Sequence, residues 1–408
     1  MKQLIAAVTI TAITGAGIYY YPSISGLPKR LPITKPPVVK PLTPLVESTQ
    51  QLQHNQIEVA FVLDTTGSMS GLIQAAKDNI WSIASSMASA ESAPIVKMGL
   101  VAYRDRGDEY VTKVSDLSDD LDTNYGELMQ YRAAGGGDAP ESVNKALYDA
   151  VTKMSWSQSE NSYKVIFLVG DAPPKMNYKD ELQYPEIVEL AKSKGIIINT
   201  IQCGQQSGTK ASWKDIATLS QGSYFQVEQS GGAVAVITPF DKKIAALTKE
   251  LDDTRIFYGS AKVLREKEGK KAAADRFNRA ASPASVARKA EFNLSKSGKR
   301  NFSGDNELVA DLESGKVQLD DIPAAELPKE VRKLEPILRH KLIKDKSQKR
   351  KKLVQKLTKL TEQRSVFIKE EMSKRDDAER SLDNQIYQTV KSQAAAKGLS
   401  YKDESAKY

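Results

Sequence analysis

Four apolar runs, residues 59–63, 96–103, 165–169 and 196–201, alternate along the first half of the chain with stretches whose apolar residues recur at helical spacing. This alternation constrains the fold more than any other feature. Parallel strands covered on both faces read as continuous apolar runs, and the crossovers between them are usually helices. Ile73, Ala76, Ile80 and Ile83 mark one face of a helix after the first run, and Val143, Ala146, Leu147 and Val151 mark another. Ile187, Val188 and Ala191 place a third over 185–194, and shorter strands are expected at 110–114 and 225–227, the last after a turn at Gly222. The pattern predicts an α/β fold, a doubly wound, mainly parallel sheet with helices on both faces. The roughly 170 residues involved suffice for one such core.

The first run ends on Asp64-Thr65-Thr66-Gly67-Ser68, a carboxylate and two hydroxyls at alternate positions on a strand-to-helix loop. Such loops, at the carboxyl ends of strands, are where open α/β sheets bind ligands. A hard cation such as Mg²⁺ takes oxygens from a few carboxylates, neutral groups and water, which this pentad offers. By itself it serves equally as a helix cap, since Asp and Ser side chains satisfy the free N–H groups of a helix start. Two further loops favour the cation. Gly135-Gly136-Gly137-Asp138-Ala139-Pro140-Glu141 precedes a helical pattern, and the run 165–169 ends on Gly170-Asp171.

Together these residues resemble the von Willebrand factor type A domains, over roughly residues 57–227. The resemblance implies a Rossmann-like fold and a metal-ion-dependent adhesion site, with Asp64, Thr66 and Ser68 on its first motif and Asp171 on its last. The middle motif departs from the common threonine form. Asp138-Ala139-Pro140-Glu141 is closer to the variant of integrin β chains, which implies Glu141 as ligand and Asp138 as a secondary one. The ion implied is Mg²⁺, with Ca²⁺ or Mn²⁺ as alternatives. Gly71 and Leu72 stand where that variant carries paired acids, so no additional site is expected there.

Other motifs carry less. Arg106-Gly107-Asp108 matches a tripeptide read by adhesion receptors, but three residues recur by chance and Gly107 serves a turn. Ser68 and Ser70 have no histidine within the domain to activate them, the two histidines being His54 and His340. Thr66 stands where phosphoryl-transferring hydrolases place an acid–base aspartate, and a hydroxyl cannot do that work near neutral pH. Cys203 follows a β-branched strand and reads as a small buried apolar residue. No catalytic residue is assigned.

Charge divides the chain. Residues 57–228 carry 15 Lys and Arg against 23 Asp and Glu, a net of −8, between flanks of +4 (1–56) and +12 (229–408). Residues 1–21, a basic start and an apolar stretch, read as a signal peptide or signal anchor, which places the body outside the cytoplasm, secreted or membrane-anchored in a cell envelope. Residues 22–56 form a proline-rich linker, with seven prolines between Pro22 and Pro44. In extended form it spans up to about 70 Å.

Residues 57–228 are the sheet domain, residues 229–330 linking helices and an irregular segment, and residues 331–408 a charged helical tail. A helix is expected over 240–251, with partial helix at 255–281 interrupted by Pro283 and by the Gly, Asn and Ser cluster of 298–306. Leu353, Leu357, Leu360 and Phe367 form a short stripe that Arg364 breaks, too short for a secure coiled coil. The basic run Lys349-Arg350-Lys351-Lys352 reads as a solvated helix face; no aromatic stacking platform accompanies it, so nucleic acid is not the expected partner. The tail is similar in composition to charged extensions of some bacterial relatives.

The reading is a non-catalytic, cation-dependent binding protein whose partner, acidic or neutral, supplies an oxygen ligand. The alternatives are a Mg²⁺-dependent phosphohydrolase using the same carboxylates and a structural envelope protein binding through its basic helices.

Overall fold

In the computed structural model, which describes residues 56–137, 140–227, 236–374 and 381–402, six strands form one sheet in the order β3-β2-β1-β4-β5-β6. The strands are β1 (Gln56–Asp64), β2 (Ile95–Tyr103), β3 (Thr112–Ser118), β4 (Tyr163–Gly170), β5 (Ile196–Cys203) and β6 (Tyr224–Val227). Only the β2–β3 pair is antiparallel. The two directions of winding meet between β1 and β4, and the crevice at such a reversal is where open sheets hold ligands. The strand expected at 110–114 begins and ends later, because residues 105–111 form the turn that reverses the chain from β2 into β3.

The helices are α1 (Ile73–Ala88), α2 (Leu121–Leu128), α3 (Val143–Lys153), α4 (Tyr184–Ser193), α5 (Ser207–Leu219), α6 (Asp241–Asp252), α7 (Ala261–Ala280), α8 (Pro283–Leu294), α9 (Lys296–Ser303), α10 (Leu308–Glu313), α11 (Lys329–Arg332), α12 (Pro336–Ser373) and α13 (Leu382–Ala395). From Ile57 to Asp64 every residue of β1 is buried, because helices cover both sheet faces. On one face Ala60, Val62, Ile166 and Leu168 pack under α3, α4 and α5, with Val143, Ala146, Leu147 and Val151 pointing inward as their spacing requires. On the other, Phe61 and Phe167 stack 5.6 Å apart beneath α1.

That second face is closed by residues far along the chain. Leu382, Ile386, Tyr387 and Val390 of α13 join the same core as Phe61 and Ile80. The Trp81 and Tyr125 rings stack 3.6 Å apart, with Phe277 of α7 and Phe292 of α8 around Trp81. Alongside lies a buried ionic cluster: Asp122 pairs with Arg255 at 2.7 Å and Lys289 at 3.0 Å, and Asp252 pairs with Arg255 at 3.0 Å and Lys289 at 3.2 Å. Sheet and helices share one compact unit that holds all described residues.

Three local expectations are corrected. Pro283 starts α8 instead of interrupting a helix, its missing N–H costing nothing at N1 while Ser282 caps Ser285. The Gly298 cluster is helical, as α9, capped by Ser295. Arg364 does not break the stripe of α12. It is 1% exposed and pairs with Asp241 at 2.9 Å and Glu291 at 3.6 Å, while Leu353, Leu357 and Leu360 pack against α6 and α8. The basic run is largely paired within the molecule: Lys349 with Glu250, Lys351 with Glu313, and Arg350, buried, in a two-point bond to Glu307. No helix among the described residues is long and apolar enough to cross a membrane, and residues 1–21 lie outside them.

Removing one member of a buried ion pair strands the other. Arg364→Ala is therefore expected to lower the free energy of unfolding by about 3–5 kcal/mol in urea titrations; a loss within experimental error would remove Arg364 from the stabilising core.

Candidate metal centre

The first motif leaves β1 at the winding reversal. Asp64 is 0% exposed, and its Oδ1 accepts from the backbone N–H of Thr66 at 2.9 Å and from the Thr66 hydroxyl at 2.7 Å. The hydroxyl oxygens of Thr66 and Ser68 lie 3.1 Å apart, and Ser68 Oγ donates to Asp171 Oδ1 at 2.9 Å. A continuous chain of oxygens thus joins the end of β1 to the residue after β4. With protons directed at the carboxylates, each hydroxyl keeps lone pairs for a ligand.

The three loops are laced together by their backbones. Gly67 N–H donates to the Gly135 carbonyl at 3.1 Å, Ala134 N–H to Thr65 at 3.1 Å, and Glu141 N–H to Pro173 at 2.9 Å. Gly135 and Gly136 adopt φ of +73° and +75°, and the Gly136 N–H is held by the Asp108 carboxylate at 3.0 Å. A methyl on Gly136 would stand 3.3 Å from Thr66 Cβ and 3.5 Å from Glu141 Oε1, so its absence keeps the approach to both open. Thr66, Ser68, Glu141 and Asp171 line one cleft of about 540 Å³, with Gly135, Gly136 and Gly137 on one wall and Cys203 to Gln206 on another. Asp64 lies beneath. Asp138 falls outside the described residues.

Two oxygens in this arrangement have no hydrogen-bond partner among the described residues: Asp64 Oδ2 and Glu141 Oε2, both buried. Burial pushes the Asp64 carboxyl up to about 7, against the pull of the Thr66 bonds. Burial, then the charges of Asp64 and its acidic neighbours, pushes Glu141 up to about 8. Asp171 is raised by burial as well. Unpaired buried carboxylates are costly and are normally satisfied by a cation or a proton. Carboxylate and hydroxyl oxygens facing a water-filled cleft suit a hard divalent ion. Among the described residues no three acidic, imidazole or thiol side chains gather into a cation cluster. Hydroxyls, rather than a third acid, bridge Asp64 to Asp171.

Several residues that position the site carry no signal in the sequence. Arg104, 6% exposed, donates to the carbonyls of Thr65 at 3.1 Å and Arg132 at 3.0 Å, and so ties the first motif to the segment leading into the glycine loop. Asp105 accepts from Ser142 at 2.7 Å and Lys175 at 3.2 Å, joining the start of α3 to the loop after β4. Asp108 and Gly107, set aside as part of a tripeptide, form the turn that braces Gly136, and Arg106 is engaged by Asp180 and Glu181. Cys203 is buried, and burial pushes its thiol up, as suits a packing residue.

Residues 58–239 match the family model described as the von Willebrand factor A domain. This segment is a von Willebrand factor A domain. It is similar to mouse (Mus musculus) hemicentin-2, 28% identical over 172 residues, which are 42% of this chain but only 3% of that protein. Similar solved structures include the SpRpn10 VWA domain, at 16% identity and a TM-score of 0.33, over 43% of this chain and 89% of that one. Another is proximal thread matrix protein 1 of the mussel byssus with a zinc-occupied MIDAS motif, at 17% identity and a TM-score of 0.34, over 42% of each chain.

The raised carboxyls of the A domain set a sign for pH dependence. Groups whose folded pKa lies above the unfolded value favour folding below the unfolded pKa, near 4, and lose that contribution as pH rises through the folded values of about 7 and 8. In chelator, the free energy of unfolding obtained from urea titration is expected to fall between pH 5 and pH 9 by on the order of a few kcal/mol, and the midpoint with it. Saturating divalent cation is expected to flatten the profile. Identical chelated midpoints at the two pH values would show that neither carboxyl is buried unpaired.

Proposed function

We propose that the A domain is a non-catalytic binding module that holds a divalent cation, Mg²⁺ by preference of its oxygens, and uses it to recruit a protein partner. Asp64, Glu141 and Asp171 would supply the charge and the hydroxyls of Thr66 and Ser68 the neutral oxygens, with Asp138 as a secondary contributor. The observation that carries this reading is the pair of unpartnered, buried carboxylate oxygens on Asp64 and Glu141 beside an open cleft. The bound ion would act as a Lewis acid toward one oxygen from the partner. If Asp64, Glu141 and Asp171 all lend charge to the ion, the attraction of an acidic partner is reduced, so a neutral or singly acidic oxygen donor suits the site better than a polyacidic one. In this reading residues 1–21 export the body, and residues 22–56 hold it away from a cell surface.

Calorimetric titration with Mg²⁺ and Mn²⁺ tests the cation, and capture of partners from envelope extract with and without chelator tests its use. Asp64→Asn is expected to lose measurable cation binding and chelator-sensitive capture, while Asp138→Ala retains both with weakened affinity. Complete loss in Asp138→Ala would reverse the ranking of Glu141 over Asp138. Turnover of a phosphate ester that disappears in Asp64→Asn would replace the binding reading with a phosphohydrolase.

A further inference from the structure

Tyr103 closes β2 directly opposite Asp64 in the parallel register of β1 and β2. Its side chain is 0% exposed, and its hydroxyl has no hydrogen-bond partner. Buried tyrosines ordinarily place that hydroxyl on an acceptor, so an orphan one calls for an explanation. The ring reaches across β1 toward β4. A methyl built on Gly170 would stand 2.5 Å from the Tyr103 hydroxyl oxygen and 3.0 Å from Asp64 Oδ2. Gly170 is therefore a glycine because two polar groups occupy the space above its α-carbon. One can donate and the other accept, and neither makes a hydrogen bond of normal geometry among the described residues. Their separation cannot exceed the sum of those two distances, a gap that one water can bridge. A phenol is protonated near neutral pH, so the hydroxyl is available as a donor.

We infer that Tyr103 is a positioning residue of the cation site, its hydroxyl donating to Oδ2 of Asp64, directly or through one buried water, when a cation is bound. Oδ1 is already fixed by two donors from Thr66, and a third donor on Oδ2 fixes the plane of the carboxylate. Those two donors occupy both lone-pair sites of Oδ1, whereas Oδ2, with one donor, retains a site for the ion or for water bound to it. Residues that orient metal ligands in this way are worth about 10- to 100-fold in metal affinity. The inference rests on the cation reading above.

Mn²⁺ serves as the probe in calorimetric titration of the full chain. Tyr103→Phe keeps the ring and removes one oxygen, so the chelated variant is expected to unfold at the wild-type urea midpoint while its Mn²⁺ affinity falls about 10- to 100-fold. Adding Mn²⁺ to the wild type is expected to produce a red-shifted tyrosine difference band, as the phenol becomes hydrogen-bonded to a carboxylate, and the variant is expected to lack it. Equal Mn²⁺ affinity in wild type and Tyr103→Phe overturns the positioning role and leaves the cation reading standing. A wild type that binds no Mn²⁺ overturns both, and the wild-type titration alone separates the two results.

Discussion

The organisation of the site depends on one bonding arrangement: the Asp64 carboxylate, at the buried end of the central strand, holds the turn that follows it through Oδ1 and leaves Oδ2 without a partner. The winding reversal between β1 and β4 makes room for it, since neighbouring crossovers diverge there and no connection covers the crevice. A carboxylate under exposed loops could bend toward water. Under Thr66, Tyr103 and Gly170 it cannot, and its charge must be answered where it stands. The glycines at 135 and 136 and the hydroxyls of Thr66 and Ser68 build a shell around that demand, with small groups where approach is needed and oxygens where electrons are needed.

The surrounding contacts keep this shell from collapsing onto its own charges. Arg104 is close to the motif yet bonds carbonyls, and its guanidinium lies 4.5 Å from the Tyr110 ring centre instead of pairing with Asp64. Lys175 is directed to Asp105 at 3.2 Å. Both basic groups are thus engaged by partners other than Asp64. An internal ion pair at Asp64 would stabilise the fold and close the site; none is formed among the described residues, which in the proposed reading is the cost of keeping the site open.

Much of this was legible in the sequence for a physical reason. Asp64, Thr66 and Ser68 stand at alternate positions of one loop, and Asp171 follows an apolar strand, so local pattern alone places them on loops at the carboxyl ends of a parallel sheet. Glu141 lies within a glycine- and proline-rich stretch whose periodicity is silent, and only the likeness to a known motif singled it out. Tyr103, Asp108 and Arg104 act across strands, where no periodicity reports. Arg364 read as a flaw in an apolar stripe because its partner Asp241 is 123 residues away in sequence. The Gly298 cluster read as irregular because composition favours turns, whereas Ser295 caps the segment and tertiary packing overrides propensity.

The shared core of sheet and helices bears on what kind of object this A domain is. Trp81 and Tyr125 belong to the sheet domain, yet their rings are covered by Phe277 and Phe292, and Asp122 finds its cations on residues 255 and 289. A chain ending near residue 228 would leave a broad aromatic face and an unpaired buried carboxylate open to water. The domain is thus not a bead that can be moved to another string. Helix α2, which carries Asp122, also runs into the segment leading to Gly135, so the later helices brace the element from which one wall of the cleft continues.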